Sequence, residues 1–495
     1  MTQAKQTVRT QSGVTYSDVS ADYFEKRSLS RYAGIWSLWA LGVGAVISGH
    51  FSGWNLGLAV GGWGGMLIAA GIMAVMFLAL SFCIAEMSAA LPFTGGSYSF
   101  ARMALGPFWG FVSGICEHIE YVLTPAVICY FIGAYLGAIF GPDVPAFYWW
   151  GGTYAVFMAL NMVGVALTFR VTLVVTLISL AILLFFCVAA LPQMDIPRWA
   201  MNIATDGTEL LNGGGPFLPM GYTSVLACLP FAVWLYLAIE ELPMAAEESV
   251  DPVRDMPKGI LLALGTLIAT AFLMVLINPA VNGVGAYQLA TSGEPVLEGF
   301  RAMFGGTRAD ILGLIALSGL VASFHSILFA QGRQIFALSR SGYLPKVLSL
   351  THSDRKIPIM AMVFGCAIGL TFMVMLTAFS TSKGTSDARI GGLLLNMAVF
   401  AAMLSYLSRA AAFLVLRKRH ANLVRPFVSP FGASGAWITI VICLVTLIFQ
   451  VRDAAFLQGV LWVVVWLGLA IGYFMLIARH RLVLSPEEVA ALDYH

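Results

Sequence analysis

The sequence predicts an all-α membrane protein with about twelve transmembrane helices. Of its 495 residues, 59% are hydrophobic and only 11% are charged, and the mean hydropathy is +0.86. Soluble domains carry roughly 25% charged residues, so an ordinary soluble fold is excluded. Apolar runs of about 20 residues, the length that crosses a bilayer as a helix, recur from one end of the chain to the other.

Short polar connections separate these runs. The candidate spans cover residues 33–59, 63–90, 107–140, 147–168, 171–191, 221–241, 258–281, 311–331, 358–379, 390–413, 433–450 and 456–478. When the connections are assigned alternately to the two sides of the membrane, most of the 27 Lys and Arg residues fall on the side of the N-terminus. Arg409 is counted there, in a basic connection at 409–430. Because basic connections stay in the cytoplasm, the bias predicts a multi-pass protein of the cytoplasmic (inner) membrane with both termini cytoplasmic.

The chain divides into five predicted regions. The polar start lacks the apolar core and cleavage site of a signal peptide, so we expect a cytoplasmic N-terminal tail. Two inverted repeats of five spans and a peripheral pair of spans follow, and a cytoplasmic C-terminal tail ends the chain. In order, the regions are 1–32, 33–191 (spans 1 to 5), 221–413 (spans 6 to 10), 433–478 (spans 11 and 12) and 479–495.

The division into repeats comes from an irregular stretch in the first span. Several glycines and one imidazole, His50, lie between Gly42 and Gly53, where a membrane helix should be most regular. Each interior glycine costs about 1 kcal/mol relative to alanine. Ionisable groups at membrane depth usually face the bundle interior or an aqueous cavity. The stretch therefore predicts a broken helix that lines a binding site.

The sixth span carries a matching irregularity. Residues 228–243 contain Pro230 and Pro243 near their ends, and Glu240 and Glu241 stand where lipid would favour apolar side chains. Irregular segments at corresponding positions of two halves indicate the midplane site of a secondary transporter. We therefore expect spans 1 and 6 to be the broken helices of two inverted repeats.

Composition and motifs exclude several other classes. The balance of 27 basic against 25 acidic residues argues against a nucleic-acid partner. The seven cysteines lack CxxC or Cys/His spacing, so we expect free thiols and no metal site. No phosphate loop, nucleophile elbow or soluble catalytic insertion appears, so we expect neither a cofactor nor an enzymatic activity.

Several segments together resemble the amino acid–polyamine–organocation (APC) superfamily. These are the glycine-rich first span, the run from Glu86 through Pro92, Gly95 and Gly96 to Tyr98, the loop 247–257, and the segment 331–345 after span 8. Within the superfamily, the segments 46–55 and 120–128 are most similar to the ethanolamine permease branch.

This resemblance implies a LeuT-like fold, with substrate held between the broken spans 1 and 6 and spans 3, 8 and 10. Amino-acid members bind the substrate carboxylate with backbone N–H groups at the first break. Here the corresponding segment Ser48-Gly49-His50-Phe51 is one residue shorter than in those members, and it includes a bulky imidazole. An amino alcohol such as ethanolamine suits that site better than an amino acid.

A cationic substrate needs carboxylates, carbonyls or aromatic faces. In span 3, Glu117, Glu120, Tyr121 and Thr124 recur at helical spacing on one face, which makes the two carboxylates the strongest candidates for binding or coupling. The alternative is that one of them is protonated or bonded to a neighbouring helix as a structural contact. His118 points away from this face and is expected to be structural.

The remaining candidates lie in the breaks and in span 8. Trp234 and Tyr236 are expected to form an aromatic gate over the substrate, and Ser323 to contact it. His50, Glu240, Glu241 and His325 are coupling or gating candidates, His50 because its unperturbed pKa near 6.5 makes its protonation sensitive to access. Glu86 is expected to anchor the loop that follows it.

Together these observations predict a secondary transporter that imports ethanolamine or a similar small amino alcohol by alternating access. Its partners would be a small cationic substrate, the lipid bilayer and a co-transported proton as a candidate coupling ion. Span 5 lacks the lysine that some proton-coupled relatives carry, so uncoupled exchange stays open. An amino-acid or polyamine permease and a non-transporting sensor are the alternatives, and a channel or a membrane-embedded enzyme fits less well.

Overall fold

The protein is described by a computed structural model that covers residues 9–11, 13–20, 22–141, 143–382, 387–453, 456–486 and 488. The α-helices are α1 Ile35–Val46, α2 Ser48–Phe51, α3 Leu58–Ala90, α4 Gly96–Leu105, α5 Pro107–Phe140, α6 Ala146–Val163, α7 Val165–Ala190, α8 Thr223–Val233, α9 Pro252–Ile277, α10 Gly285–Leu289, α11 Pro295–Phe304, α12 Gly306–Arg340, α13 Ile359–Ser382, α14 Asp387–Arg419, α15 Gly432–Arg452 and α16 Leu457–Leu476. Strands β1 Arg9–Gln11 and β2 Val14–Tyr16 form an antiparallel hairpin.

Short 3₁₀ segments occur at Glu25–Arg27, Trp54–Gly57, Leu191–Gln193, Ile239–Glu248, Asn278–Ala280, Lys346–Ser349 and Ala478–His480, and one π-helical turn at Ile196–Ala200. Within the described residues, nine helical spans are long and apolar enough to cross a membrane, and two shorter apolar helices lie at 35–51 and 223–233. The prediction of a multi-pass all-helical membrane protein is therefore confirmed. The count of twelve spans, the repeat boundaries and the orientation stay predictions.

Two long helices extend beyond their predicted spans. α12 was expected to end near residue 331 but continues to Arg340, and α9 begins at Pro252 rather than at 258. In the added turns of α12, Arg333 and Arg340 pair with Glu248 and Glu247 inside the protein. Such charged turns lower the local hydropathy without ending the helix. A search for apolar runs therefore places the end of the helix too early.

The centre of the bundle is built around α5. This helix packs against α12 and α14, while α1 packs against α7 and α9. α15 and α16 are the least buried of the membrane-spanning candidates and expose large apolar side chains such as Trp437 and Leu469. Exposed apolar side chains of this kind suit a lipid environment, whereas the polar side chains described below are buried between α1, α5, α12 and α14.

Both tails lie at one end of the bundle, here called the tail side. Tyr16 of β2 pairs with Leu482, and Arg102 at the end of α4 forms an ion pair of 2.6 Å with Glu488. The predicted N-terminal tail includes 1–8, 12 and 21, and the predicted C-terminal tail includes 487 and 489–495, which lie outside the described residues.

Candidate substrate site at the two broken helices

The first break is formed by a hydroxyl group inserted into a helix. The Oγ of Ser323 on α12 donates to the carbonyl of Gly44 at 2.6 Å and accepts from the backbone N–H of Ser48 at 2.9 Å. The hydroxyl therefore stands between the two groups that would share the helical hydrogen bond linking α1 to α2. α2 ends at Phe51, the following Ser52 is extended, and Gly53 has a φ of 96°.

The second break is narrower than the sequence predicted. The break was expected at residues 230–243, but Pro230 lies inside α8, which continues to Val233. The chain leaves the helix at 234–238, where Ala238 adopts a left-handed conformation with a φ of 86°. A carboxylate oxygen of Glu240 accepts the N–H of Ala238 at 3.1 Å, so this side chain supports a backbone conformation that is costly for a residue with a Cβ.

The two breaks touch each other. A Cβ at Gly49 would collide with the carbonyl oxygen of Trp234, so only glycine allows this approach. Trp234 donates its indole N–H to the carbonyl of Ser52 at 3.0 Å, and His50 donates from Nε2 to the carbonyl of Leu235 at 3.2 Å. His50 thus satisfies a carbonyl that the second break frees, while its Nδ1 is buried without a hydrogen-bond partner among the described residues.

Glu117 lies in a polar cluster on the tail side of the breaks. It is fully buried and forms an ion pair with Arg409 of α14. Its carboxylate also accepts from the backbone N–H of Ser97 and from the hydroxyl of Tyr121, both at 3.4 Å. Glu117 is ten residues into α5, so it lies about 15 Å from the tail-side end of that helix.

Glu120 occupies the next turn of α5. The hydroxyl of Tyr406 donates to its Oε1 at 3.4 Å, and Glu240 is an electrostatic neighbour. Glu120, Glu240 and Glu241 are at most 1% exposed. Among the described residues, Glu120 Oε2, Glu240 Oε1 and both oxygens of Glu241 have no hydrogen-bond partner. The cluster therefore holds more acidic groups than cations, since Arg409 is the one cation that acts on it among the described residues.

Other predicted residues are directed elsewhere. The hydroxyl of Tyr236 donates to the carbonyl of Ala70 on α3 at 3.2 Å, and His325 bonds to Asn161 of α6 and to the carbonyl of Thr168 on α7. Tyr236 thus connects the second break to α3, and His325 connects α12 to α6 and α7.

Glu86 was expected to anchor the loop that follows α3. It instead pairs with Arg417 at 2.6 Å and with Arg425 at 3.3 Å, and accepts from the N–H of Ser429. The reason is that the end of α14 returns to the end of α3, a long-range contact that local sequence does not encode.

Sequence reasoning missed Arg409 and Tyr406. Arg409 was counted with a basic connection, but it is 1% exposed inside α14. A single cation within an otherwise apolar run was the available signal, since such residues usually face a partner in the bundle. Tyr406 lies three residues earlier, and the guanidinium lies 5.6 Å from the centre of its ring.

Polar contacts close the protein on both sides of the breaks. On the tail side, Arg333 pairs with Glu248 at 2.8 Å and Arg340 with Glu247 at 2.6 Å. On the opposite side, the Oγ of Ser52 donates to the carbonyl of Gly293 at 2.6 Å.

Two further hydrogen bonds reinforce the opposite side. Asn55 donates to the carbonyl of Leu289 at 2.6 Å, and Tyr135 to that of Phe51 at 2.8 Å. Because the residues of both breaks are buried, a solute reaches them only if one of these two layers opens.

Relatives of known class match almost the whole chain. A family profile described as "Amino acid permease" matches residues 34–477. The methylthioribose transporter of Bacillus subtilis (strain 168) is 26% identical over 484 residues, covering 92% of this chain and 96% of that protein. The branched-chain amino acid permease BcaP of the same organism is 26% identical over 499 residues, covering 94% and 96%.

Solved structures share the fold. Crystal structures of two mutants of a manganese transporter from Eremococcus coleocola match with TM-scores of 0.56 and 0.57, at 15% sequence identity. They cover 97% of this chain and 100% of theirs. The predicted architecture of a helical membrane transporter is confirmed at this level, and the relatives confirm the superfamily but not the ethanolamine branch. The chain therefore belongs to the amino acid permease family of the APC superfamily.

Proposed function

We propose that the protein imports ethanolamine or a similar small amino alcohol across the cytoplasmic membrane by alternating access. The observation that carries this proposal is the excess of buried carboxylates. Glu117, Glu120 and Glu240 lie beside the broken helices with one guanidinium, that of Arg409, among them. Such a site favours a substrate that brings a positive charge and disfavours an added carboxylate.

His50 supports the same choice of substrate. Its ring lies at the first break. The resemblance to amino-acid members of the superfamily implies that backbone N–H groups bind the substrate carboxylate at this position. Here Ser323 takes up the N–H of Ser48, and the imidazole extends to the second break. A substrate hydroxyl group can donate to the buried Nδ1 of His50, which has no hydrogen-bond partner among the described residues.

Transport would proceed by opening one closed layer at a time. α1, α3, α8 with segment 239–248, and α9 would rock against the remaining helices. On the tail side this motion separates Glu247 and Glu248 from Arg340 and Arg333. On the opposite side it separates Ser52 and Asn55 from the 289–294 segment.

A proton is the proposed coupling ion. Glu117, Glu120 and His50 are the candidates for carrying it, with Glu240 and Glu241 as neighbours that gate access. If uptake is uncoupled, a membrane potential or a substrate gradient alone drives it, and an imposed pH gradient changes nothing.

An amino-acid permease is the second candidate. The observation that favours it is that BcaP, a relative over nearly the full chain, is named for branched-chain amino acids. Under this reading, the substrate ammonium would approach the carboxylates while its carboxylate met the backbone near Gly49.

Reconstitution of the purified protein in liposomes tests these alternatives. We expect labelled ethanolamine to accumulate or exchange, and Glu120→Gln to weaken uptake while Asp206→Asn, at an exposed loop position, does not. A thermal-shift panel of ethanolamine, choline, alanine, putrescine and leucine ranks ligands without any assumption about coupling. Preference for alanine or leucine would favour the amino-acid permease. Binding without uptake would favour a sensor.

A further inference from the structure

The polar cluster around Glu117, Glu120 and Glu240, here called the carboxylate cluster, contains more negative than positive groups. Arg409 acts electrostatically on Glu117, Glu120 and Glu240. The other buried arginines among the described residues bond elsewhere: Arg102 pairs with Glu488, Arg333 with Glu248 and Arg340 with Glu247, and Arg27 donates to Ser349. One cation thus faces three acidic groups, all from side chains that are at most 1% exposed.

Of these three carboxylates, Arg409 forms an ion pair only with Glu117. Its Nη2 forms the ion pair with Glu117, while its Nη1 donates to the backbone carbonyl of Glu240 at 3.4 Å rather than to that side chain. Ser97 and Tyr121 add two more donors to Glu117. A carboxylate with a cation and two further donors is stable in its charged form, even when buried.

The other two acids are differently placed. Glu120 receives a hydrogen bond from Tyr406, and Glu240 one from the N–H of Ala238. Each keeps one buried oxygen without a hydrogen-bond partner among the described residues. Two unpaired negative charges side by side in a buried site are strongly unfavourable, so protons or an incoming cation must compensate them.

We propose that Arg409 is a positioning residue that divides the cluster into two functions. It keeps Glu117 permanently ionised as a structural counter-charge, and it leaves Glu120 and Glu240 as the pair that takes up positive charge on the tail side of the breaks. That charge comes either from protons or from the ammonium group of a transported substrate. The inference rests on the proposed function only for the second source, because the division of charge is a property of the protein alone.

Other ionisable groups face this cluster and enter the test. Tyr121 projects from α5 and Tyr406 from α14, both bonded to the carboxylates, and Glu241 neighbours Glu240 on segment 239–248. α4 contributes Ser97, which does not titrate. The single variants below alter at most one charge, and the double variant removes one charge of each sign, so that these neighbours stay constant.

Infrared spectroscopy of the full-length protein provides a readout that does not require transport. Protonated carboxylic acids have a separate carbonyl-stretch band. We expect Arg409→Gln to increase this band by one carboxyl group, because Glu117 loses its counter-charge and takes a proton. Arg409→Lys should leave the band unchanged, and the double variant Glu117→Gln with Arg409→Gln should restore the wild-type intensity.

Single acid variants complete the assignment. Glu120→Gln and Glu240→Gln should each reduce the band. Glu117→Gln should also reduce it, because the released guanidinium then neutralises a neighbour. The proposal is overturned if Arg409→Gln leaves the band unchanged, or if the double variant fails to restore it. The neutral double variant supplies the comparison when Arg409→Gln alone does not fold.

Addition of ethanolamine separates the two sources of charge. If the ammonium group binds between Glu120 and Glu240, the acid band falls when ligand is added, and it does not fall in Glu120→Gln. If protons alone compensate the pair, the band stays constant on ligand addition. An absence of uptake with the expected set of band changes would reject the proposed substrate but keep the role of Arg409.

Discussion

At the scale of single residues, the side chain of Ser323 satisfies the two backbone groups that the first break leaves without a helical partner. A freed carbonyl and a freed N–H inside a membrane each cost several kcal/mol, on the order of the desolvation of an amide. The hydroxyl of Ser323 satisfies both, at Gly44 and Ser48. The break is therefore maintained by a neighbouring helix rather than by glycine flexibility alone.

Ser323→Ala should change transport more than stability. Without the hydroxyl, Gly44 and Ser48 can restore their own helical hydrogen bond, so we expect the free energy of unfolding to change by only about 1 kcal/mol. Uptake should fall because the break closes. Liposome uptake and thermal melting measure the two effects, with Ser318→Ala on the same helix as the control. A loss in the free energy of unfolding much larger than about 1 kcal/mol, or normal uptake, would contradict the role given to Ser323.

Gly49→Ala tests the contact between the breaks. The added methyl group would meet the carbonyl of Trp234 and force the two segments apart. Overpacking of a tight contact costs about 1–3 kcal/mol, so we expect a lower melting temperature and loss of uptake. Gly71→Ala is the matched control, since a Cβ there meets only the ring of Phe272 at an ordinary 3.8 Å.

At the scale of elements, the sequence predicts the features that depend on neighbouring residues. It does not predict those that depend on contacts between residues far apart in the chain. Helices, and a break in each of two spans, follow from local composition, and Glu117, Glu120 and Tyr121 follow from helical spacing. The position of the second break does not follow, because Pro230 is accommodated inside α8 while Ala238 depends on Glu240. Arg409 and Ser323 took their roles from contacts between distant helices.

The segment 289–294, which covers the breaks on the side opposite the tails, should respond to pH. Burial, and to a smaller extent the neighbouring Glu298, raise the pKa of Glu294 from its ordinary 4.5 to about 7, although Arg301 acts in the opposite direction. The closed segment therefore binds a proton that an open, hydrated segment releases. Its closure is favoured at low pH, and this contribution is lost as the pH rises through about 7.

Hydrogen exchange of residues 285–294, corrected for the intrinsic rate, measures this effect. We expect protection below the pKa of Glu294 and faster exchange above it. Glu294→Gln should remain protected at both pH values, because an amide mimics the protonated acid. Equal pH sensitivity in the variant would assign the effect to another group.

At the scale of the whole molecule, the N-terminal tail connects the parts that must separate on the tail side. Tyr32 and Ala33 both donate to the carbonyl of Glu248, at 2.8 and 2.9 Å. Earlier in the tail, Tyr23 donates to the carbonyl of Arg340, and Arg27 donates to Ser349 at 2.8 Å. Residues 23–33 therefore link segment 239–248 to the end of α12.

Arg27→Ala should weaken this link and favour opening on the tail side. Arg27 loses bonds to Ser349 and to the carbonyls of Tyr23 and Lys346, so we expect a larger fraction of molecules to expose the tail-side path. The rate of labelling of a cysteine introduced at the buried Ser249 would report this opening. Lys26→Ala, at an exposed neighbour, is the control and should not change the rate.

The pairing of the two tails also sets an order of events during synthesis. Ser17 donates to the carbonyl of Leu482, and Leu482 donates back to Thr15. The hairpin is synthesised long before Leu482, so its edge stays unpaired until that residue has left the ribosome. Assembly of the tail side therefore depends on Leu482, so a protein truncated before this residue would insert its helices yet lack one of the contacts that hold its tails together.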